Sequence, residues 1–244
     1  MGYIRGKGGK TMKIYAIPAM EDNYIWSIDL DQGRIFIDPG QALPVLNFLK
    51  DKEAKESVVL LTHHHLDHTG GLEELKEALP DLRVYGPWET RDLNDTCVKD
   101  GDLVKVFGQE IAVLASPGHT EAGVSYLWQG HLFPGDALFK AGCGRVFTGD
   151  YRAQYDTLEV FKDLPDDTLV YPAHEYSLEN LRFAKSLFPG SLEIDQALEE
   201  VRDQRQEGKN TLPTSIGEER RINPFFLAKD LDEFIAFRKK KDTF

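Results

Sequence analysis

Short apolar or alternating runs dominate the first two thirds of the chain. They predict strands over 13–17, 24–30, 34–38, 57–61, 103–107, 111–115, 123–128, 131–133 and 168–171. Helical spacing of apolar residues predicts helices over 43–51, 71–79 and 155–164. Alternation of strands and helices points to an α/β layered fold, and strands following each other at hairpin distance, as across Gln129-Gly130, predict mixed sheets. After His174 the pattern changes. Leu178, Leu181, Ala184, Leu187 and Phe188 recur at helical spacing, and Pro189-Gly190 interrupts them. Leu192, Ile194, Ala197, Leu198 and Val201 then resume a stripe that ends near Gly208. No strand is predicted beyond that point. Residues 1–11, rich in Gly and Lys without hydrophobic period, read as a mobile leader or expression scar. The expected domains are then 12–174, carrying the sheets, and 175–244, a helical tail.

Composition narrows the function classes. Of the 244 residues 41% are hydrophobic and 29% charged, a balance that supports a folded core. Cys97 and Cys143 are the only cysteines, which fits a reducing, cytoplasmic location better than a disulfide framework. No run approaches the roughly 18 apolar residues of a membrane span, so no membrane partner is expected. A net charge of −12 opposes nucleic acid, and an anionic substrate needs a local basic pocket.

Four of the seven histidines lie in Thr62-His63-His64-His65-Leu66-Asp67-His68, between a predicted strand and a helix. In chain that is still extended, His63 and His65 point to one side, while Asp67 and His68 lie on the turn into the helix. One loop can thus offer two ligand sets to neighbouring metal ions. His64 points the opposite way and is expected to pack or to support a ligand from behind. His119 after Ser116-Pro117-Gly118, Asp136 after Phe133-Pro134-Gly135, and His174 after Tyr171-Pro172-Ala173 each sit where a strand meets a loop, the usual place for sites in such folds. Asp38, in Ile37-Asp38-Pro39-Gly40, either orients a ligand histidine or simply makes the turn. His131, beside Gly130, is expected to be exposed. Cys143 has no evident base nearby and is read as structural.

The run at 62–68, followed in order by His119, Asp136 and His174, resembles the metallo-β-lactamase fold superfamily over about residues 12–174. The resemblance implies a four-layer αβ/βα sandwich, α/β in class, with a two-metal centre. By that similarity His63, His65 and His119 hold the first metal, Asp67, His68 and His174 the second, and Asp136 bridges them. Five imidazoles and two carboxylates suit zinc first, with iron or manganese as alternatives. Such a pair of divalent ions gives a hydroxide nucleophile near neutral pH and polarises a carbonyl or phosphoryl oxygen, so metal-assisted hydrolysis is expected, with Asp67 and Asp136 central to it.

Further segments, among them Ala141-Gly142-Cys143-Gly144-Arg145, His174-Glu175-Tyr176 and Arg238-Lys239-Lys240-Lys241, look like the hydroxyacylglutathione hydrolase (glyoxalase II) family. That similarity implies hydrolysis of S-D-lactoylglutathione to D-lactate and glutathione by attack of the bridging hydroxide, in methylglyoxal detoxification. Family contacts to glutathione fall on Arg145, Tyr176, Arg238 and Lys241. Animal members have lysine where Arg145 stands and tyrosine where Phe147 stands, so the cation is kept and the phenol is lost. A monomer acting on a small-molecule thioester is expected. The competing readings are a glutathione persulfide dioxygenase with one iron on the same fold, and a metal-binding module without turnover.

Overall fold

A computed structural model of the protein describes residues 4–5 and 11–244. Most of the leader predicted at 1–11 therefore lies outside the described residues. The chain divides into two compact units, Met1–Ala115 with Ala122–Gln129, and Ser116–Glu121 with Gly130–Phe244.

In the first unit the elements run β1 (Ile4–Arg5), β2 (Thr11–Ala19), β3 (Asn23–Asp29), β4 (Gly33–Ile37), α1 (Ala42–Leu49), β5 (Glu56–Leu60), α2 (Leu66–Thr69), α3 (Leu72–Ala78), β6 (Arg83–Gly86), β7 (Thr96–Cys97), β8 (Leu103–Val106), β9 (Gln109–Ala115) and β10 (Val124–Trp128). β1 to β7 form one sheet in sequence order. It is antiparallel as far as β4, with tight turns from β2 to β3 and from β3 to β4, and parallel from β4 to β7. The change follows from the connections: α1 lies between β4 and β5 and α3 between β5 and β6, and parallel neighbours need such crossovers. Ala42 and Val45 of α1 and Leu72 and Leu75 of α3 bury into one core with Ile25, Phe36, Val59, Leu61 and Val84. Each large aliphatic there contributes about 1.5–3 kcal/mol by leaving water. β6 and β7 carry no legible pattern. Both residues of β7 are exposed, and in β6 Arg83 is exposed and Tyr85 only half-buried.

In the second unit the elements are β11 (His131–Phe133), α4 (Tyr151–Lys162), β12 (Leu169–Val170), α5 (Ser177–Leu187), α6 (Leu192–Gln206), β13 (Thr214–Ser215), α7 (Ile216–Ile222), α8 (Pro224–Leu227) and α9 (Leu231–Lys241). β11 pairs parallel with β12, and β12 antiparallel with β13. The expectation of a strandless tail is thus corrected, since a two-residue strand is too short to show a period. α4 begins four residues earlier than its apolar spacing suggests, because the Asp150 carboxylate accepts from the Ala153 amide at 2.9 Å and caps it there. The stripes of α5 and α6 bury against each other, with Leu181, Ala184, Ile194, Leu198 and Val201 joined by Ala141 and Ile222. Leu192 drops out of its stripe and is 80% exposed at the first turn. His131 is also corrected: it is buried in β11, with Nδ1 3.0 Å from the Tyr171 hydroxyl. Burial lowers its pKa and raises that of Tyr171. Among the described residues no helix is long and apolar enough to cross a membrane.

Candidate metal centre

In the first unit the histidine loop is organised by one carboxylate. β4 is followed at once by Asp38, which takes a left-handed backbone (φ 50°). Its Oδ1 accepts from the Thr62 amide at 2.7 Å, and its Oδ2 accepts from the Thr62 hydroxyl at 2.6 Å. The same Oδ2 lies 3.0 Å from Nδ1 of His68, which is fully buried at the start of α2. A carboxylate there selects the Nδ1–H tautomer and leaves the His68 Nε2 lone pair for another partner. Thr62 relays the same logic. Having donated to Asp38, its oxygen can only accept from His63, whose Nδ1 is 3.0 Å away.

The lone pairs then converge. His63 Nε2 lies 3.1 Å from His65 Nδ1, and His68 Nε2 lies 3.4 Å from Asp67 Oδ2. Asp38, His63 and His68 each offer an atom within 4.8 Å of the others, a cluster able to hold a metal ion. Asp67 is steadied by Asn23, whose Nδ2 donates to its Oδ2 at 3.3 Å. His64 turns to the exposed side, 3.2 Å from the Glu89 carboxylate. Gly40 underlies the loop so closely that a Cβ there would lie 1.8 Å from the Asp67 carbonyl oxygen.

In the second unit His119, Asp136 and His174 come together from three strand-loop junctions, all buried. Asp136 Oδ2 is 3.4 Å from His119 Nε2, and its Oδ1 is 3.4 Å from His174 Nε2. Each carboxylate oxygen thus faces a different imidazole. His119 Nδ1 lies 2.8 Å from the Arg145 carbonyl, which can only accept, so the proton sits on Nδ1 and Nε2 keeps its lone pair. Tyr176 stacks on the His174 ring at 4.7 Å and 6°. Phe147, 62% exposed, meets the His119 ring edge-on at 5.3 Å.

The cations expected to meet substrate behave differently from one another. Arg145 is half exposed and lies 3.2 Å from Asp242 Oδ1. Arg238 is buried, 5% accessible. Its Nη1 donates to the Cys143 carbonyl at 2.7 Å, and its Nη2 lies 3.0 Å from the same Asp242 oxygen. Lys241 donates to the Glu179 carbonyl at 3.3 Å; partial burial and then the Arg238 charge bring its pKa down to about 8. Cys143 is buried and its thiol is pushed up to about 11, which leaves it protonated and inert. Sequence reasoning passed over Glu219 as a site-supporting residue. It is fully buried in α7, and burial pushes its carboxyl up to about 7. The legible signal was a polar pair, Glu219 and Asn223, four residues apart between buried Ile216 and Phe225.

Mixed sheets, a histidine-aspartate loop at a strand exit and an imidazole-facing aspartate define a member of the metallo-β-lactamase superfamily, and the pattern of that superfamily matches residues 22–174. The pattern described as Hydroxyacylglutathione hydrolase C-terminus matches residues 175–244, the helical C-terminal domain. A hydroxyacylglutathione hydrolase of Haemophilus ducreyi is 47% identical, covering 96% of this chain and all of that one. One from Actinobacillus pleuropneumoniae is 45% identical over the same shares. The crystal structure of ETHE1 from Myxococcus xanthus superposes with a TM-score of 0.72 at 29% identity, covering 93% of this chain and 89% of that one. The chain belongs to the hydroxyacylglutathione hydrolase family.

Proposed function

We propose that the protein hydrolyses the thioester of 2-hydroxyacylglutathiones, S-D-lactoylglutathione foremost, releasing glutathione and D-lactate. The observation that carries this reading is the Asp136 carboxylate with one oxygen toward each of two buried imidazoles. In it His63, His65 and His119 would hold one divalent cation, Asp67, His68 and His174 would hold a second, and Asp136 would serve both. Imidazole and carboxylate donors without thiolate fit zinc, with iron and manganese as alternatives. Divalent cations so held supply Lewis acidity toward a thioester carbonyl and make water a nucleophile near neutral pH.

The chain's own groups do the rest. Asp38, Thr62 and the Arg145 carbonyl keep protons on the Nδ1 atoms of His68, His63 and His119, so the opposite nitrogens stay available as donors of lone pairs. Arg145 and Arg238 share the single Asp242 carboxylate, and Lys241 lies near enough to Arg238 to feel its charge. That local excess of positive charge, in a protein of net charge −12, suits the two carboxylates of glutathione. Arg145, Tyr176 and Lys241 are the contacts in this reading, and Arg238 holds the loop beneath them. The departing thiolate, from a thiol of pKa about 8.5, needs little help from an acid. The protein acts as a cytoplasmic monomer.

The test is thiol release from S-D-lactoylglutathione by protein loaded with zinc, iron or manganese. Turnover with two divalent ions per chain is expected. One iron per chain, sulfite from glutathione persulfide and no thiol release would overturn the reading. A pH profile probes the binding end. Because the Lys241 pKa is depressed to about 8, its charge is lost as pH rises through that value, where an ordinary lysine stays protonated. KM is expected to rise about two- to fivefold between pH 7 and 9, the worth of one partly screened ion pair, with kcat steady. Lys241→Arg should flatten the step; a step that persists in that variant assigns it to another group.

A further inference from the structure

The segment from Asp136 to Arg145 carries a proposed metal ligand at one end and, at the other, the carbonyl that orients His119. It closes on itself, since the Gly144 amide donates to the Asp136 carbonyl at 2.9 Å. A Cβ at Gly144 would lie 2.3 Å from that carbonyl oxygen and 2.7 Å from His119 Nδ1, so segment and ligand are packed without slack. Between them Phe139 and Gly142 form a tight bridge around Ala141, which holds a left-handed backbone (φ 53°) without being glycine. Such a conformation costs on the order of 1–2 kcal/mol and persists only where the surroundings fix it.

Glu219 of α7 and Asn223, which caps that helix, fix it. Glu219 Oε2 accepts from the Ala141 amide at 2.7 Å. Asn223 Nδ2 donates to the Gly142 carbonyl at 3.0 Å and to the same Glu219 oxygen at 2.9 Å. The other Glu219 oxygen accepts from the Thr214 hydroxyl at 2.7 Å. Both side chains are fully buried. Burying a carboxyl is costly unless it is used, and here its use is to hold a strained turn five residues from Asp136 and four from Arg145.

We propose that Glu219 and Asn223 are positioning residues: by clamping the turn at 139–142 they set the Asp136 carboxylate and the Arg145 carbonyl, and through that carbonyl His119, in the register that metal binding needs. This rests on the metal reading given above. The helical domain then tunes the metal ligands as well as contributing to substrate binding.

The test compares Glu219→Leu with Glu219→Gln in the full-length protein, reading zinc affinity by chelator competition, the visible spectrum of the cobalt(II)-loaded form, and metal-free melting. Glutamine can present its oxygen to Ala141 and its amide to Thr214, so wild-type affinity is expected. Leucine leaves the Ala141 amide unanswered and should weaken zinc about tenfold to a hundredfold, the usual effect of losing such an outer partner, with an altered cobalt spectrum. A folded Glu219→Leu protein with wild-type affinity and spectrum overturns the proposal. If that variant does not fold, Asn223→Ala decides by the same readings, and failure of both to fold confines the pair to core stability and also overturns it. A wild-type protein that binds no metal would instead sink the metal reading itself.

Discussion

Asp136→Ala is expected to lower kcat by about a thousandfold, some 4 kcal/mol of barrier, and to cut the metal content below two ions per chain. The reason is geometric. Both carboxylate oxygens are committed, Oδ2 toward His119 and Oδ1 toward His174, each at 3.4 Å. Asn in its place keeps the shape but turns one of these positions into an N–H donor without a lone pair, so Asp136→Asn should fail to rescue. Metal analysis and steady-state kinetics on the two variants check this. Full turnover, or two ions retained in the alanine variant, rules out a shared carboxylate.

Gly40→Ala is expected to have the largest effect on stability of any single methyl added to the histidine loop. The new Cβ would sit 1.8 Å from the Asp67 carbonyl oxygen and 2.4 Å from its carbon, both backbone atoms that no rotamer change can move. Relieving the overlap must shift either the Asp38-Pro39-Gly40 turn or α2. The turn is pinned, because Asp38 holds Thr62 and His68, and the Pro39 carbonyl accepts from the Gly71 amide at 3.0 Å. A loss of about 3 kcal/mol follows, or roughly 6–12 °C in Tm for a chain of this size. Metal affinity should fall with it, since Asp67 and His68 ride on the displaced turn. Wild-type melting and metal content in this variant would show that the loop has slack the packing does not suggest.

The two variants probe parts of the protein that were unequally legible in the sequence. Asp136 stood out because it sits where a strand meets a loop, the usual place for sites in such folds, and because four histidines lay together elsewhere. Gly40 did not stand out: its need for a missing Cβ comes from Asp67, far along the chain, and no local pattern reports that approach. The same holds for His131. A histidine beside a turn glycine reads as exposed, whereas Tyr171, a neighbour only through the pairing of β11 with β12, gives its ring a buried partner. Arg238 stands in a lysine-rich helix end where nothing local reports that the Cys143 carbonyl, 95 residues away, accepts from it.

By itself the sequence determined the strand and helix pattern, the change of character after His174, the family, and the residue types able to bind metal. Each of these is local: hydrophobic period follows from backbone geometry, and metal chemistry admits few side chains. Tertiary structure alone decided which ring nitrogens carry protons, which cations remain accessible, and that Glu219 reaches Ala141 across 78 residues. Those outcomes depend on polar groups meeting from distant segments, and a single hydrogen bond between distant segments leaves no periodic trace in either one.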